Sequence, residues 1–280
     1  MKVHSLSTTS IADLVQVFNA SFEGYFIPIQ LNETVLLDKM KSENVFLEYS
    51  VGVSINNQLV AFILIGIDSK NNQLLSYNAG TGVIPEFRGQ HLPKKMYAYL
   101  LPLLHKNNIR NHYLEVITQN QKAIKIYESI GYQVTKKVIC FKGKINEPKQ
   151  PFDYQIFEFD FVSESTIESF WNHQPTYQNT LSSINRNKNA HTFLGVFSEN
   201  GLLAYIIYAN SNARVKQFGV DKNYRKSALG QQLFYEVQKS NPTQEISLIN
   251  IDSNDTETIA FLQKIGLSTT VEQFEMMLQS

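Results

Sequence analysis

Continuous apolar runs alternate along this chain with segments whose apolar positions recur every three or four residues. Runs such as LVAFILIGI (residues 59–67) predict strands covered on both faces. The segment TTSIADLVQVFNASF (8–22) has helical spacing and offers Thr8, Thr9 or Ser10 as the N-cap. VFLEYSVGVSI (45–55) and QLVAFILIGI (58–67) read as strands joined at an Asn56-Asn57 turn. Farther on, HYLEVIT (112–118) reads as a strand, and NQKAIKIYESIG (120–131) as a helix opened by Asn120 and closed by Gly131. The expected order is a strand, two helices, a run of strands, a turn with its helix, a strand, a helix and closing strands.

That order occurs twice. FGVDKNYRKSALGQQLFYEV (218–237) repeats the strand, turn, arginine and helix of VIPEFRGQHLPKKMYAYLLPLL (83–104), with Arg88 and Arg225 lying 137 positions apart. AIKIYESIGY (123–132) is echoed by TIAFLQKIGL (258–267), Gly131 and Gly266 being 135 apart. NNQLVAFILIGI (56–67) is echoed by ENGLLAYIIYA (199–209) at an offset of 143, as expected of a longer hairpin around DSKNNQ in the first half. A tandem duplication fits a 280-residue chain, and the domains are expected at 1–145 and 146–280, joined within GKINEPKQPFDY (143–154).

The turn itself suggests chemistry. Val83 and Ile84 end a β-branched run, Pro85 stops it, and helical spacing begins after Pro93 with Met96, Tyr97, Leu100, Leu101 and Leu104. A helix N-terminus presents unpaired N–H groups and the positive dipole end, and Arg88, Lys94 and Lys95 add charge, so an anion such as a phosphate suits it. An ordinary connection with a solvated basic rim is the plainer alternative. His91 lies within the turn and can donate to a phosphate or simply sit exposed.

Charge refines this picture. The net charge is zero, so no nucleic-acid footprint is expected, but residues 1–145 hold 15 basic and 10 acidic side chains and the remainder the reverse. The first half is therefore the better host for a polyanion. No apolar run of membrane-spanning length and no export signal are read, which makes the cytoplasm the expected compartment. The single cysteine, Cys140, sits in an apolar strand as a structural thiol, and the six histidines show no metal-ligand spacing.

The order of elements, the turn RGQHLP after GVIPEF, the later NQKAIKIYESIGY and the second turn RKSALG together resemble the GNAT superfamily of N-acetyltransferases. The resemblance implies an α/β (α+β) fold of two tandem GNAT-like domains, each a mixed, mostly antiparallel sheet flanked by helices. It implies acetyl-CoA held by backbone amides of a turn patterned Arg or Gln, two residues, Gly, one residue, Gly or Ala, with Val83, Ile84, Arg88, Gly89, Gln90, His91, Leu92, Lys94 and Asn120 as the first-half binding positions. Here His91 and Pro93 replace the family's small residues, and the proline removes one amide donor. The second-half candidates are Val220, Arg225, Lys226, Ser227, Ala228 and Gly230, with every amide of the turn retained.

The resemblance also implies a catalytic tyrosine, matched by Tyr127, which donates a proton to the leaving thiolate; a core aromatic is the alternative reading of that position. Its counterpart by alignment of the two glycines is Leu262, which has no proton to give. Glu115 is the candidate general base, acting through a water, or an exposed strand glutamate. The acceptor, a primary amine of a small molecule or peptide, is expected against FEGYFIPIQ (22–30), with Phe22, Glu23, Tyr25, Phe26 and Ile29 forming either a pocket or an interface. The second half offers Trp171 and Tyr177 in FWNHQPTYQN (170–179). Two activities stay open: a tandem acetyltransferase working in its first half with a supporting second half, or a protein that binds acyl-CoA or a partner without turnover. A third possibility places the active half at the C-terminal end.

Overall fold

The computed structural model describes residues 1–148, 154–160 and 162–280. In chain order these form β1 (Lys2–Ser5), α1 (Ile11–Ser21), α2 (Glu33–Ser42), β2 (Val51–Ile55), β3 (Gln58–Lys70), β4 (Gln73–Val83), α3 (Leu92–Lys106), β5 (Asn111–Ile117), α4 (Gln121–Ile130) and β6 (Gln133–Gly143). There follow β7 (Phe157–Glu158), α5 (Glu164–Ile167), α6 (Leu181–Arg186), β8 (His191–Ser198), β9 (Gly201–Ala209), β10 (Arg214–Val220), α7 (Leu229–Ser240), β11 (Ile246–Asp252), α8 (Thr256–Lys264) and β12 (Ser268–Gln279). Both halves are mixed, mostly antiparallel sheets flanked by helices.

Local chemistry sets the element ends. Ser10 caps α1 by accepting from Asp13 N, and Asn120 caps α4 by accepting from Ala123 N. Gly131 closes α4 in the left-handed region at φ +112°, where an L side chain is strained. Asn56 and Asn57 both take positive φ and turn β2 into β3. One expected strand is shorter than the pattern suggested. Only Val51–Ile55 of VFLEYSVGVSI pairs as β2, because Tyr49 N and Ser50 N bond Phe46 O and Leu47 O in tight turns, leaving Val45 an isolated bridge to Gly66.

Two compact units divide the chain, one of residues 1–135 with 274–280, the other of residues 136–273. This differs from the division at 143–154 expected from polarity and prolines, part of which lies outside the described residues. The reason is strand membership: most of β6 pairs with β11 in the second unit, while the end of β12 completes the first. Hydrogen bonding, which a composition shift does not report, decides where each strand belongs.

In the first unit the strand order is β1-β2-β3-β4-β5 with the end of β12 beyond β5. Residues 60–65 of β3 are each at most 2 % exposed, as expected for a strand covered on both faces, with α1 and α3 packed against it. In the second unit the order is β6-β11-β10-β9-β8-β7, and α7 packs against β8, β9 and β10. The longer first-half hairpin is present: β3 and β4 run 13 and 11 residues, against 9 and 7 for β9 and β10. Among the described residues, no helix is long and apolar enough to cross a membrane.

Candidate active site

The sheet of each unit opens at a parallel pair. β4 and β5 pair only from Leu75↔Asn111 to Tyr77↔Tyr113, after which β4 continues beside β3 alone and a register shift marks the bulge near Ala79. β10 and β11 likewise pair only at Arg214↔Ser247 and Val215↔Leu248. Each split leaves strand edges facing a wedge, and the turn after the first strand lies at its end.

Both turns share one backbone. Gly89 has φ +81° and His91 φ +56°; at the same offsets, Lys226 has φ +64° and Ala228 φ +66°. His91 and Ala228 are then the N-caps of α3 and α7. Alternating left-handed residues turn successive N–H groups toward one side, an anion-binding arrangement. The N–H groups of Gly89, Gln90 and His91 have no partner among the described residues, and a Cβ on Gly89 would meet nothing within 4 Å. Pro93 stands at the second position of α3, where a missing N–H breaks no helical bond. The turn therefore fits a pyrophosphate. Of the other expected positions, Lys94 is exposed at the helix start, while Ile84 and Leu92 are 7 % and 1 % exposed and offer only backbone.

The arginines do something else. Arg88 donates from Nε to Val83 O at 3.2 Å and from Nη2 to Ser21 O at 3.0 Å, and Arg225 makes the same pair of bonds to Val220 O at 3.4 Å and Phe170 O at 2.9 Å. Arg225 Nη1 further meets Asn172 Oδ1 and Glu257 Oε2, at 3.0 and 3.1 Å. At the 135-residue offset, the first unit has Lys122 where the second has Glu257. The two turns thus differ in charge. The first has Arg88, Lys94 and Lys95 in and just after it, whereas the second carries an internal ion pair, and Ser227 Oγ is spent on Tyr224 O.

Tyr127 reaches the wedge from α4. It is 8 % exposed and its hydroxyl lies beside Thr81 and Asn78 of β4, while its ring lies edge-on to Tyr97 and Tyr132 at 6.2 and 5.8 Å. Burial pushes the phenol above its ordinary value, so it is protonated at neutral pH. Glu115 of β5 accepts a hydrogen bond from Tyr77 of β4. Its carboxyl is raised to about 7, chiefly by burial, against the lowering effect of that hydrogen bond; Glu275 and Glu43 raise it further and Lys39 lowers it. Tyr77 and Asn78 are successive strand residues and face opposite ways, so Tyr127 and Glu115 flank the wedge from its two faces.

The expected acceptor segment forms an aromatic chain. Phe18, Phe22, Tyr25 and Phe26 follow one another with ring centroids 4.6, 5.0 and 5.2 Å apart, and Asn120 Nδ2 donates to Tyr25 Oη at 3.3 Å. Phe26 is 54 % exposed and Glu23 is exposed. Sequence reading missed Tyr77, Thr81 and Asn78. Tyr77 sits 38 residues from Glu115, and no local spacing signals such a contact.

The second unit differs in kind. A cleft of about 670 Å³ runs between β10 and β11 to the turn, lined by Trp171, His173, Gln217, Phe218, Gly230 and Phe261 among others. Leu262, at the place of Tyr127, is fully buried in the core. Asn250 stands where the first unit has Glu115, and it is bonded by Gln273 at 2.8 Å. Trp171 Nε1 donates to Tyr205 Oη at 2.7 Å.

Residues 12–132 match the acetyltransferase (GNAT) family. That segment, within the first unit, is similar to GNAT acetyltransferases. The similar solved structures extend the likeness to the whole chain as a fold. A GCN5-related N-acetyltransferase from Sphaerobacter thermophilus shares 14 % identity over 99 % of this chain and 95 % of its own, with a TM-score of 0.73. A tandem GNAT protein from the clavulanic acid biosynthesis pathway shares 11 % identity over 99 % and 98 %, with a TM-score of 0.74. A putative acetyltransferase from Pyrococcus horikoshii shares 11 % identity over 100 % and 89 %, with a TM-score of 0.69. No curated protein matches the chain. The tandem GNAT-like fold that the resemblance implied is thus shared with known structures, and the family that residues 12–132 match is one of acetyltransferases.

Proposed function

We propose that this protein transfers an acetyl group from acetyl-CoA to a primary amine of a small molecule or peptide, and that the chemistry belongs to its first unit. The observation that carries this is the pairing of Tyr127 and Glu115 on opposite faces of the wedge beside β4. When bound, acetyl-CoA supplies the thioester carbonyl and a thiol leaving group. The amides of Gly89, Gln90 and His91, with Lys94 at the start of the following helix, hold the pyrophosphate. Glu115, deprotonated above pH about 7, accepts a proton from the ammonium of the acceptor, directly or through a water, so that a neutral amine attacks. Tyr127 keeps its proton and donates it to the departing sulfur. Phe22, Tyr25 and Phe26 line the acceptor side and Glu23 attracts a cation.

The test is Tyr127→Phe, which preserves the ring and removes the hydroxyl. Thiol release should fall in kcat by ~10²- to 10⁴-fold with KM for acetyl-CoA nearly unchanged. Leu262→Ala should act on stability alone, by ~2–5 kcal/mol, with per-molecule activity of the folded fraction retained. Full kcat in Tyr127→Phe would remove the proton-donor role.

The cleft of the second unit favours a second reading, an acyl-CoA site without turnover. Against it stand Leu262 and the ion pair at its turn. Crystals soaked with coenzyme A decide between them: pyrophosphate beside residues 88–94 supports the first reading, and pyrophosphate only beside 225–231 supports the second.

A further inference from the structure

The two turns have diverged at most positions between their arginines and helices, RGQHLP against RKSALG, yet the two guanidinium groups make the same bonds with the same nitrogens. In each copy Nε holds the carbonyl five residues upstream, and Nη2 holds the carbonyl just before the loop that leads to the next helix. Ser21 is the last residue of α1, so its carbonyl belongs to the orphaned, negative end of that helix, where a cation is favourable.

We propose that Arg88 is a positioning residue that ties the phosphate turn to the acceptor segment 22–30, so that anion occupancy of the turn and order in that segment are coupled. The assignment of those two segments rests on the function proposed above; the tether itself rests on geometry alone. Phe22 follows directly on Ser21 and stacks on Phe18, then passes contact to Tyr25 and Phe26. Gly24, at φ +67°, supplies the bend, and Tyr25 Oη is held by Asn120, the N-cap of α4. The segment is thus pinned by Arg88 at its base and by Asn120 farther along. A shift of the turn toward an anion moves the arginine that holds the base. The second unit has the tether without the response, because Arg225 Nη1 is locked by Asn172 and Glu257, whereas Arg88 Nη1 has no partner among the described residues.

Coupling is reciprocal and is read without knowing the acceptor. Amide hydrogen exchange on the full chain, with coenzyme A as the probe, measures it. Coenzyme A should slow exchange at both 88–95 and 22–30 of the unsubstituted protein. Arg88→Lys keeps the charge and loses the planar fork. In the free variant, amides of 22–30 should exchange about tenfold faster. Coenzyme A should then protect 88–95 but no longer 22–30, with its Kd changed by less than about threefold. Arg88→Ala should loosen 22–30 in the same way, and Arg225→Lys should loosen 171–179 while leaving 22–30 alone. Unchanged exchange at 22–30 in free Arg88→Lys, with the Kd for coenzyme A weakened about tenfold or more, would overturn the proposal and make Arg88 an anion ligand. Absence of protection at 88–95 in the unsubstituted protein would remove the phosphate reading and the coupling with it. The free-state comparison would still decide the tether.

Discussion

Tyr77 shows how a residue with no sequence signature sets the environment of Glu115, the base proposed above. Its hydroxyl donates to Glu115, stabilising the carboxylate against a burial that drives the pKa up to about 7. If Glu115 is the base, kcat/KM rises with pH through that value, since only the ionised form accepts a proton. Tyr77→Phe removes a lowering interaction, so the acidic limb should move to higher pH, against the unchanged background of Glu275, Glu43 and Lys39. Glu115→Gln should abolish the limb. A pH–rate profile measured from pH 5 to 9 checks both, and a limb that stays in place in Tyr77→Phe would separate the hydrogen bond from the titration. Glu115 was legible as the carboxylate on a strand bordering the wedge. Its partner was not, because β4 and β5 meet only after α3 has crossed between them.

Among the elements, the duplicated turn supplies its own comparison. Gly89 and Lys226 occupy one left-handed position, and only glycine does so without strain. Lys226→Gly should therefore stabilise the protein and Gly89→Ala destabilise it, each by about 1 kcal/mol, read as opposite shifts of the urea midpoint. Because nothing crowds a Cβ at Gly89, the loss there is backbone strain rather than a clash. Equal and null effects would mean that the two turns are not held in this conformation. The turns, their arginines and the helices after them were evident from the repeat. What the arginines bind was not: an arginine beside a helix N-terminus suggests an anion, while the carbonyl of Ser21 lies 67 residues away.

For the whole molecule, strand membership makes the halves interdependent. Residues 274–280 belong to the first unit, where Ser280 N bonds Arg110 O and Ser280 Oγ meets His112 Nε2 at 3.0 Å. Residues 136–143 belong to the second, with Val138 and Phe141 fully buried and paired to β11. Expressed alone, residues 1–145 lack the strand beyond β5, and residues 153–280 lack β6. Both fragments expose unpaired strand edges, which template aggregation. Each should be poorly soluble, and co-expression should restore soluble protein; size-exclusion chromatography distinguishes this from two well-behaved monomers that melt cooperatively.

The amino-acid pattern alone determined the duplication, the element order, the capping residues and the place of Tyr127 relative to Leu262. These depend on spacing within a segment or on comparison of two segments, both of which are written linearly. The tertiary structure decided the rest. Which strands complete each sheet depends on hydrogen bonds between residues more than a hundred positions apart, as in Leu248↔Phe141. The acidity of Glu115 depends on burial and on a phenol from another strand, and the bonding of Arg88 on where α1 ends in space. The large cleft of the second unit depends on which side chains fill the split between two strands, a volume that no one-dimensional pattern records.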